Sequence, residues 1–181
     1  MIPLAVKLKD RHVLVIGCGV IGKRKAQQLI DDGALVSMVT TEQLTPAPEG
    51  LYELLERPVV FSDFDNTLLI ISATGDATIN DDLIGEARRR GILINCVDDP
   101  ERCDFYFCAT ASRGEVTVAV SSNGSSPALA QAIRDRMEAA LPANTAEAAT
   151  ALRALRDAVH ASGESTEDID WRQVVADLLE D

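Results

Sequence analysis

Three glycines spaced Gly17-x-Gly19-x-x-Gly22 stand between the apolar run Val13-Leu14-Val15-Ile16 and the stretch Lys23-Arg24-Lys25-Ala26-Gln27-Gln28-Leu29-Ile30. The run before them reads as a strand and the stretch after them as a helix. In that order each glycine has its own task. Gly17 turns the chain tightly off the strand, Gly19 lets the backbone come close to a pyrophosphate, and Gly22 lets the helix pack against the sheet. The N–H groups at the helix start then face the anion. The flanking strand and helix separate this pattern from an ordinary glycine-rich turn. The expected ligand is a dinucleotide.

Glu42, about twenty residues past the glycines, is the one acid near the end of the next strand, where a carboxylate bonds the adenosine ribose. No arginine follows closely to take a 2′-phosphate, so NAD is favoured over NADP. Glu42 reads equally well as a solvated loop residue.

A second cluster is Asn95-Cys96-Val97-Asp98-Asp99-Pro100, at the carboxyl end of an apolar strand. Asp98 is placed to face a cleft, as a general base or to orient a polar substrate. Turn shaping by both aspartates explains the positions equally well. His12 opens the first strand on the side away from the cofactor, His160 closes a peripheral helix, and no Ser–His–Asp or Cys–His arrangement can be argued. No His or Cys set has metal-ligand spacing, so no resident metal is expected. The chemistry must therefore come mainly from the cofactor, and hydride transfer is its natural class. Lys23-Arg24-Lys25 opposes the dipole of the helix it opens, and it is either a polyanion-attracting patch or a solvated face. Cys18, Cys96, Cys103 and Cys108 are expected to pack as small hydrophobes.

These residues need elements to hold them. Strands are expected at 12–16, 35–40, 68–73 and 91–97, with helices at 20–32 and 77–90. Gly33 is the expected left-handed end of the first helix, and Asp76 or Thr78 the cap of the second. A short helical stretch is expected between the loop 45–50 and Pro58. Thr74 and Gly75 then fall at the carboxyl end of a central strand, where open α/β sheets bind ligands. The alternation predicts an α/β, Rossmann-type parallel sheet. Beyond it, 105–110 and 115–120 read as an antiparallel pair, followed by the loop 122–127 and helices at 128–141, 146–160 and 171–179.

Composition is that of an ordinary globular chain, with 46% hydrophobic and 25% charged residues among 181. The net charge of −12 argues against nucleic acid as a partner. No apolar run approaches the roughly 20 residues of a membrane helix, and residues 1–10 lack the pattern of a signal peptide, so a cytoplasmic protein is expected.

Several stretches together resemble the precorrin-2 dehydrogenase family, also described as siroheme synthase N-terminal-like. They are Ile2-Pro3-Leu4, Leu8-Lys9-Asp10-Arg11, the glycine turn through Ala26, Ala73-Thr74-Gly75-Asp76 with Asn80, Asn95 to Pro100, and Val118 to Pro127. The resemblance implies NAD-dependent oxidation of precorrin-2 to sirohydrochlorin, with insertion of Fe²⁺ in some relatives. It matches Asp98 to the family's catalytic aspartate, and the Val20-Ile21 and Thr41-Glu42 backbone to its NAD contacts. Asn95, Arg113, Ser122, Asn123 and Gly124 become the expected substrate-binding residues. Lys23 and Arg24 with Arg113 are expected to gather the polycarboxylate substrate. The implied organisation is an NAD domain over 1–110, a small α+β dimerisation region over 111–143, and a helical region over 144–181, in a homodimer. An NAD-sensing regulatory module without turnover is the alternative.

Overall fold

The computed structural model describes residues 1–97 and 99–180, in two compact units, Met1–Tyr106 and the chain from Phe107 onward. In the first unit β1 (His12–Ile16), α1 (Val20–Asp31), β2 (Leu35–Thr40), β3 (Glu53–Glu56), β4 (Leu69–Ser72), α2 (Ala77–Arg90) and β5 (Leu93–Cys96) follow in order. The five strands form one parallel sheet in the order β3-β2-β1-β4-β5. Val13 pairs with Val36 on one side and Leu69 on the other, so β1 lies at the centre. All four residues of β4 are buried, as an apolar run covered on both faces should be. Leu14, Ile16, Ile70 and Ile94 meet Leu83, Ile84 and Ala87 of α2 in the core, with Phe64 among them.

The helix ends follow from local chemistry. Gly33 takes φ 85°, its N–H donates to the Ile30 carbonyl, and the Ala34 N–H reaches back to Leu29. The Asp76 carboxylate accepts from the N–H groups of Thr78 and Ile79 and so caps α2.

The stretch expected to be helical before Pro58 is instead β3. Leucine and glutamate favour helix in isolation, but a stretch this short cannot repay helix nucleation. Its backbone groups find partners on the outer edge of β2, with Ser37 opposite Glu53 and Thr40 opposite Glu56. Leu55 thereby packs against the core. Pairing overrides propensity here.

The last turn of α2 carries Arg88, Arg89 and Arg90, which suit the negative end of the helix. Glu86 is bound by Arg89 at 2.6 Å and Arg90 at 2.5 Å. Hydrogen bonds from Arg89 and then Arg90 hold its carboxyl down at about 2, from an ordinary 4.5. A depressed carboxyl adds stability that is complete above pH 4.5 and fades as pH falls toward 2. The urea midpoint of a Glu86→Gln variant should therefore lie below that of the parent at pH 6 and converge with it near pH 2. A gap independent of pH would mean that the ion pairs are not its source.

In the second unit β6 (Ala109–Arg113) and β7 (Val116–Val120) form an antiparallel pair, with Ala109 opposite Val120. The first of these strands was expected from 105. It begins at 109, because Phe105 and Tyr106 are engaged by the first unit: the Asn95 amide donates to the Phe105 carbonyl, and the Tyr106 hydroxyl to that of Pro100. Three helices follow, α3 (Pro127–Ala140), α4 (Thr145–Ser162) and α5 (Trp171–Glu180). Ser126 caps α3 by accepting from the Leu129 N–H, with Pro127 in the first turn. The Asn144 amide donates to the Leu178 carbonyl and ties α4 to α5.

Candidate functional site

The site is built at the carboxyl end of β1, where the strand order reverses between β2 and β4. Such a switch point opens a crevice in a parallel sheet. The Gly17 N–H donates to Val39 and the Ala73 N–H to Ile16, which stitches the turn to the strands on either side. Gly17 adopts φ 98°, and a Cβ there would lie 2.4 Å from the Ala73 carbonyl oxygen. At Gly22 a Cβ would lie 2.3 Å from the Gly17 carbonyl oxygen. Gly19 is different. Its φ is −60°, which any residue adopts, and nothing stands within 4 Å of where its Cβ would be.

Gly19 thus faces open space at the start of α1. The first bond of that helix runs from the Lys23 N–H to the Gly19 carbonyl, so the N–H groups of Val20, Ile21 and Gly22 precede any intrahelical acceptor. Gly19 gives the helix no side-chain cap, and its first turn holds no acid. Val20 is 85% exposed beside it. A space that a methyl group would fill, in front of uncapped N–H groups, suits the pyrophosphate of a dinucleotide.

The basic run that follows divides. Arg24 is exposed, while Lys25 lies against the body of the unit and donates to Gln28 at 3.4 Å. Burial, and then the charge of Arg24, push the Lys25 ammonium down to about 8.

At the end of β2, Thr41 and Glu42 are exposed, and Glu42 is held at both ends. Its N–H donates to the Thr40 hydroxyl at 3.0 Å, that hydroxyl to Cys18 Sγ at 3.1 Å, and the Cys18 thiol to the Glu42 carboxylate at 3.7 Å. Cys18 is buried, as expected, yet it is a hydrogen-bonding group. Thr40 was not singled out by sequence reasoning, although a threonine ending a strand two residues before an acid is a recognisable hydroxyl-turn signal. On the other side of the crevice, Gly75 takes φ 67° and the Thr74 hydroxyl accepts from the Asp76 N–H. The buried Asn80 amide oxygen accepts from Ser72 at 2.6 Å beneath them.

Asp98 lies outside the described residues. Its neighbours are firmly tied. The Cys103 thiol accepts from the Cys96 N–H at 3.2 Å and lies 3.1 Å from the Cys96 carbonyl and 3.3 Å from that of Asp99. Arg102 bridges Asp99 and Asp81. Asn95 is 7% exposed, with its amide spent on Phe105 and Cys103.

Gly17, Gly19, Val20, Ile21, Gly22, Thr41, Glu42, Thr74 and Gly75 therefore gather at one edge of one sheet. Arg113, Ser122, Asn123 and Gly124 belong to the second unit. Arg113 donates to the carbonyls of Leu141 and Pro142, closing the end of α3. Ser122 is bonded to both backbone groups of Ser126, around a turn in which Asn123 and Gly124 have positive φ. Among the described residues no three His, Cys, Asp or Glu side chains converge on a metal site, and no helix is long and apolar enough to cross a membrane.

Known proteins match this chain in sequence and in fold. Residues 4–109 fit an NAD(P)-binding family model, and residues 113–140 fit that of the sirohaem biosynthesis protein central region. The siroheme synthase of Pseudomonas entomophila is 40% identical over 164 residues, covering 88% of this chain and 35% of that protein. Siroheme synthase 1 of Serratia proteamaculans is 36% identical over 153 residues, covering 82% and 32%. The chain thus spans about a third of the length of these relatives. Among solved structures, SirC, a precorrin-2 dehydrogenase, has the same fold, with a TM-score of 0.70 over 99% of this chain and 88% of that one, at 22% identity. Sheet order, open glycine turn and a sequence match over residues 4–109 of 181 agree, and the chain belongs to the NAD(P)-binding family.

Proposed function

We propose that the chain oxidises precorrin-2 to sirohydrochlorin with NAD, and that it works in the cytoplasm as a homodimer. The observation that carries this reading is the uncapped start of α1 behind the open face of Gly19, in a chain that resembles siroheme synthases on both sides of residue 110. NAD, when bound, supplies the hydride acceptor.

The chain's own residues supply position and charge. The glycine turn and the N–H groups of Val20 and Ile21 hold the pyrophosphate, Thr41 and Glu42 take the ribose, and Thr74 and Gly75 border the crevice. Asp98 takes the proton that leaves with the hydride, or holds the macrocycle in position. Lys23, Arg24 and Arg113 supply cationic field for a polycarboxylate, as an acidic chain requires. Asn95, Arg113, Ser122, Asn123 and Gly124 contact the substrate, Asn95 from a position where its amide also holds the Phe105 carbonyl.

Pairing through residues 111–143 is supported by α3. Leu129, Ile133 and Met137, spaced four apart on one face, are 54%, 40% and 47% exposed. The pair β6–β7 is moreover a two-stranded sheet, an arrangement marginal on its own. The helices from 144 onward form the third region of this reading.

The test is an anaerobic assay with enzymatically generated precorrin-2 and NAD, following NADH and the sirohydrochlorin spectrum together. The same preparation is sedimented to read its mass, which should be that of a dimer. Coupled appearance of both products is expected, and Fe²⁺ added afterwards tests metal insertion. NAD binding without either product would overturn the dehydrogenase and leave a nucleotide sensor.

A further inference from the structure

Cys18 stands between two glycines of the turn, where its thiol joins a closed circuit of hydrogen bonds. The circuit leaves Glu42 by its N–H, passes through the Thr40 hydroxyl, which lies 3.1 Å from Cys18 Sγ and 3.3 Å from the Glu42 carbonyl, and returns from the Cys18 thiol to the Glu42 carboxylate at 3.7 Å. Thr40 is 5% exposed and Cys18 7%, so the bond between them is shielded from water, while the Glu42 end of the circuit faces solvent. Each donor in such a chain polarises the next, and the circuit is complete only with a donor-acceptor group at position 18. A freely solvated glutamate would sample many rotamers. This one is tethered at backbone and carboxylate, beside the turn that faces the pyrophosphate.

We infer that Cys18 and Thr40 are positioning residues for nucleotide selectivity: they hold the Glu42 carboxylate where it accepts from a ribose diol and repels a 2′-phosphate. The inference rests on the dinucleotide reading above and on no step of precorrin-2 chemistry. It requires a carboxylate held near the ribose, because a mobile one can swing away from a 2′-phosphate and lose most of the repulsion.

The experiment measures the dissociation constants of NAD and of NADP by calorimetry, on the full chain and three variants. The parent should prefer NAD. Cys18→Ala and Thr40→Val, which break the circuit at different points, should each lower that preference about fivefold, the worth of one modest hydrogen bond. Cys18→Ser, whose hydroxyl both donates and accepts, should keep it. Thermal midpoints taken alongside identify any variant that has lost its fold, and Thr40→Val keeps the test open if Cys18→Ala is the one that fails. An unchanged preference in both disrupting variants overturns the inference, as does a parent that binds both nucleotides equally. A folded parent that binds neither overturns the dinucleotide reading itself.

Discussion

Gly19→Ala should leave the thermal midpoint of the protein where it is and weaken NAD binding about 100-fold, a loss of about 3 kcal/mol. The two halves of this expectation come from one geometry. With φ −60° and ψ 176°, the backbone at Gly19 suits alanine, and the new methyl would meet nothing within 4 Å. Folding therefore has no reason to suffer. The methyl would instead occupy the space through which a pyrophosphate reaches the N–H groups of α1, and hydrogen bonds to a charged group are each worth about 1.5–3 kcal/mol. Gly22→Ala should do the reverse in order of cause. Its Cβ would sit 2.3 Å from the Gly17 carbonyl oxygen, so helix and turn must separate and the midpoint must fall before any ligand is added. Thermal unfolding and calorimetry on both variants decide the matter. Equal destabilisation by both would remove the distinction between the open glycine and the packed one.

Asp98→Asn should lower turnover of precorrin-2 by about 100- to 10,000-fold, the usual range for a positioned acid or base. NAD affinity should not change, because the proposed dinucleotide contacts lie on the β1, β2 and β4 turns. Asparagine keeps the size of aspartate and removes its charge. The flanking structure can absorb that change: Asp99 is held by Arg102, and the carbonyls of Cys96 and Asp99 both lie beside the Cys103 thiol. A loss of turnover with intact NAD binding and an intact fold would fit a role in the chemistry. Normal turnover would remove Asp98 from the mechanism and leave the glycine turn's role standing.

Much of the architecture was legible in the residues. The apolar runs around Val15, Ile70 and Ile94 could be read as buried parallel strands, and Asp76 and Gly33 carried their capping roles in their types and positions. The segment Glu53–Glu56 was not legible, because its partner is β2, distant in sequence, and local preference points the other way. The gathering of Gly17, Glu42 and Thr74 at one edge followed from the expected parallel sheet, in which all three stand at carboxyl ends of strands. What the side chains do there did not. Asn95 reads as a polar residue available to a ligand, and its amide is buried against Phe105. Cys18 reads as a small hydrophobe, and its thiol lies between Thr40 and Glu42. Such pairings depend on rotamers and on loops that meet only after folding.

The crowding of the glycine turn bears on how such a protein would drift if its nucleotide were lost. Gly17 and Gly22 answer to neighbouring backbone, and a descendant with no ligand at all would still be obliged to keep them. Gly19 answers to nothing in the chain itself. Released from the nucleotide, it would be free to take up a side chain within a few substitutions, while the motif around it persisted as a fossil of packing. Of the three, Gly19 is the position that testifies to present use.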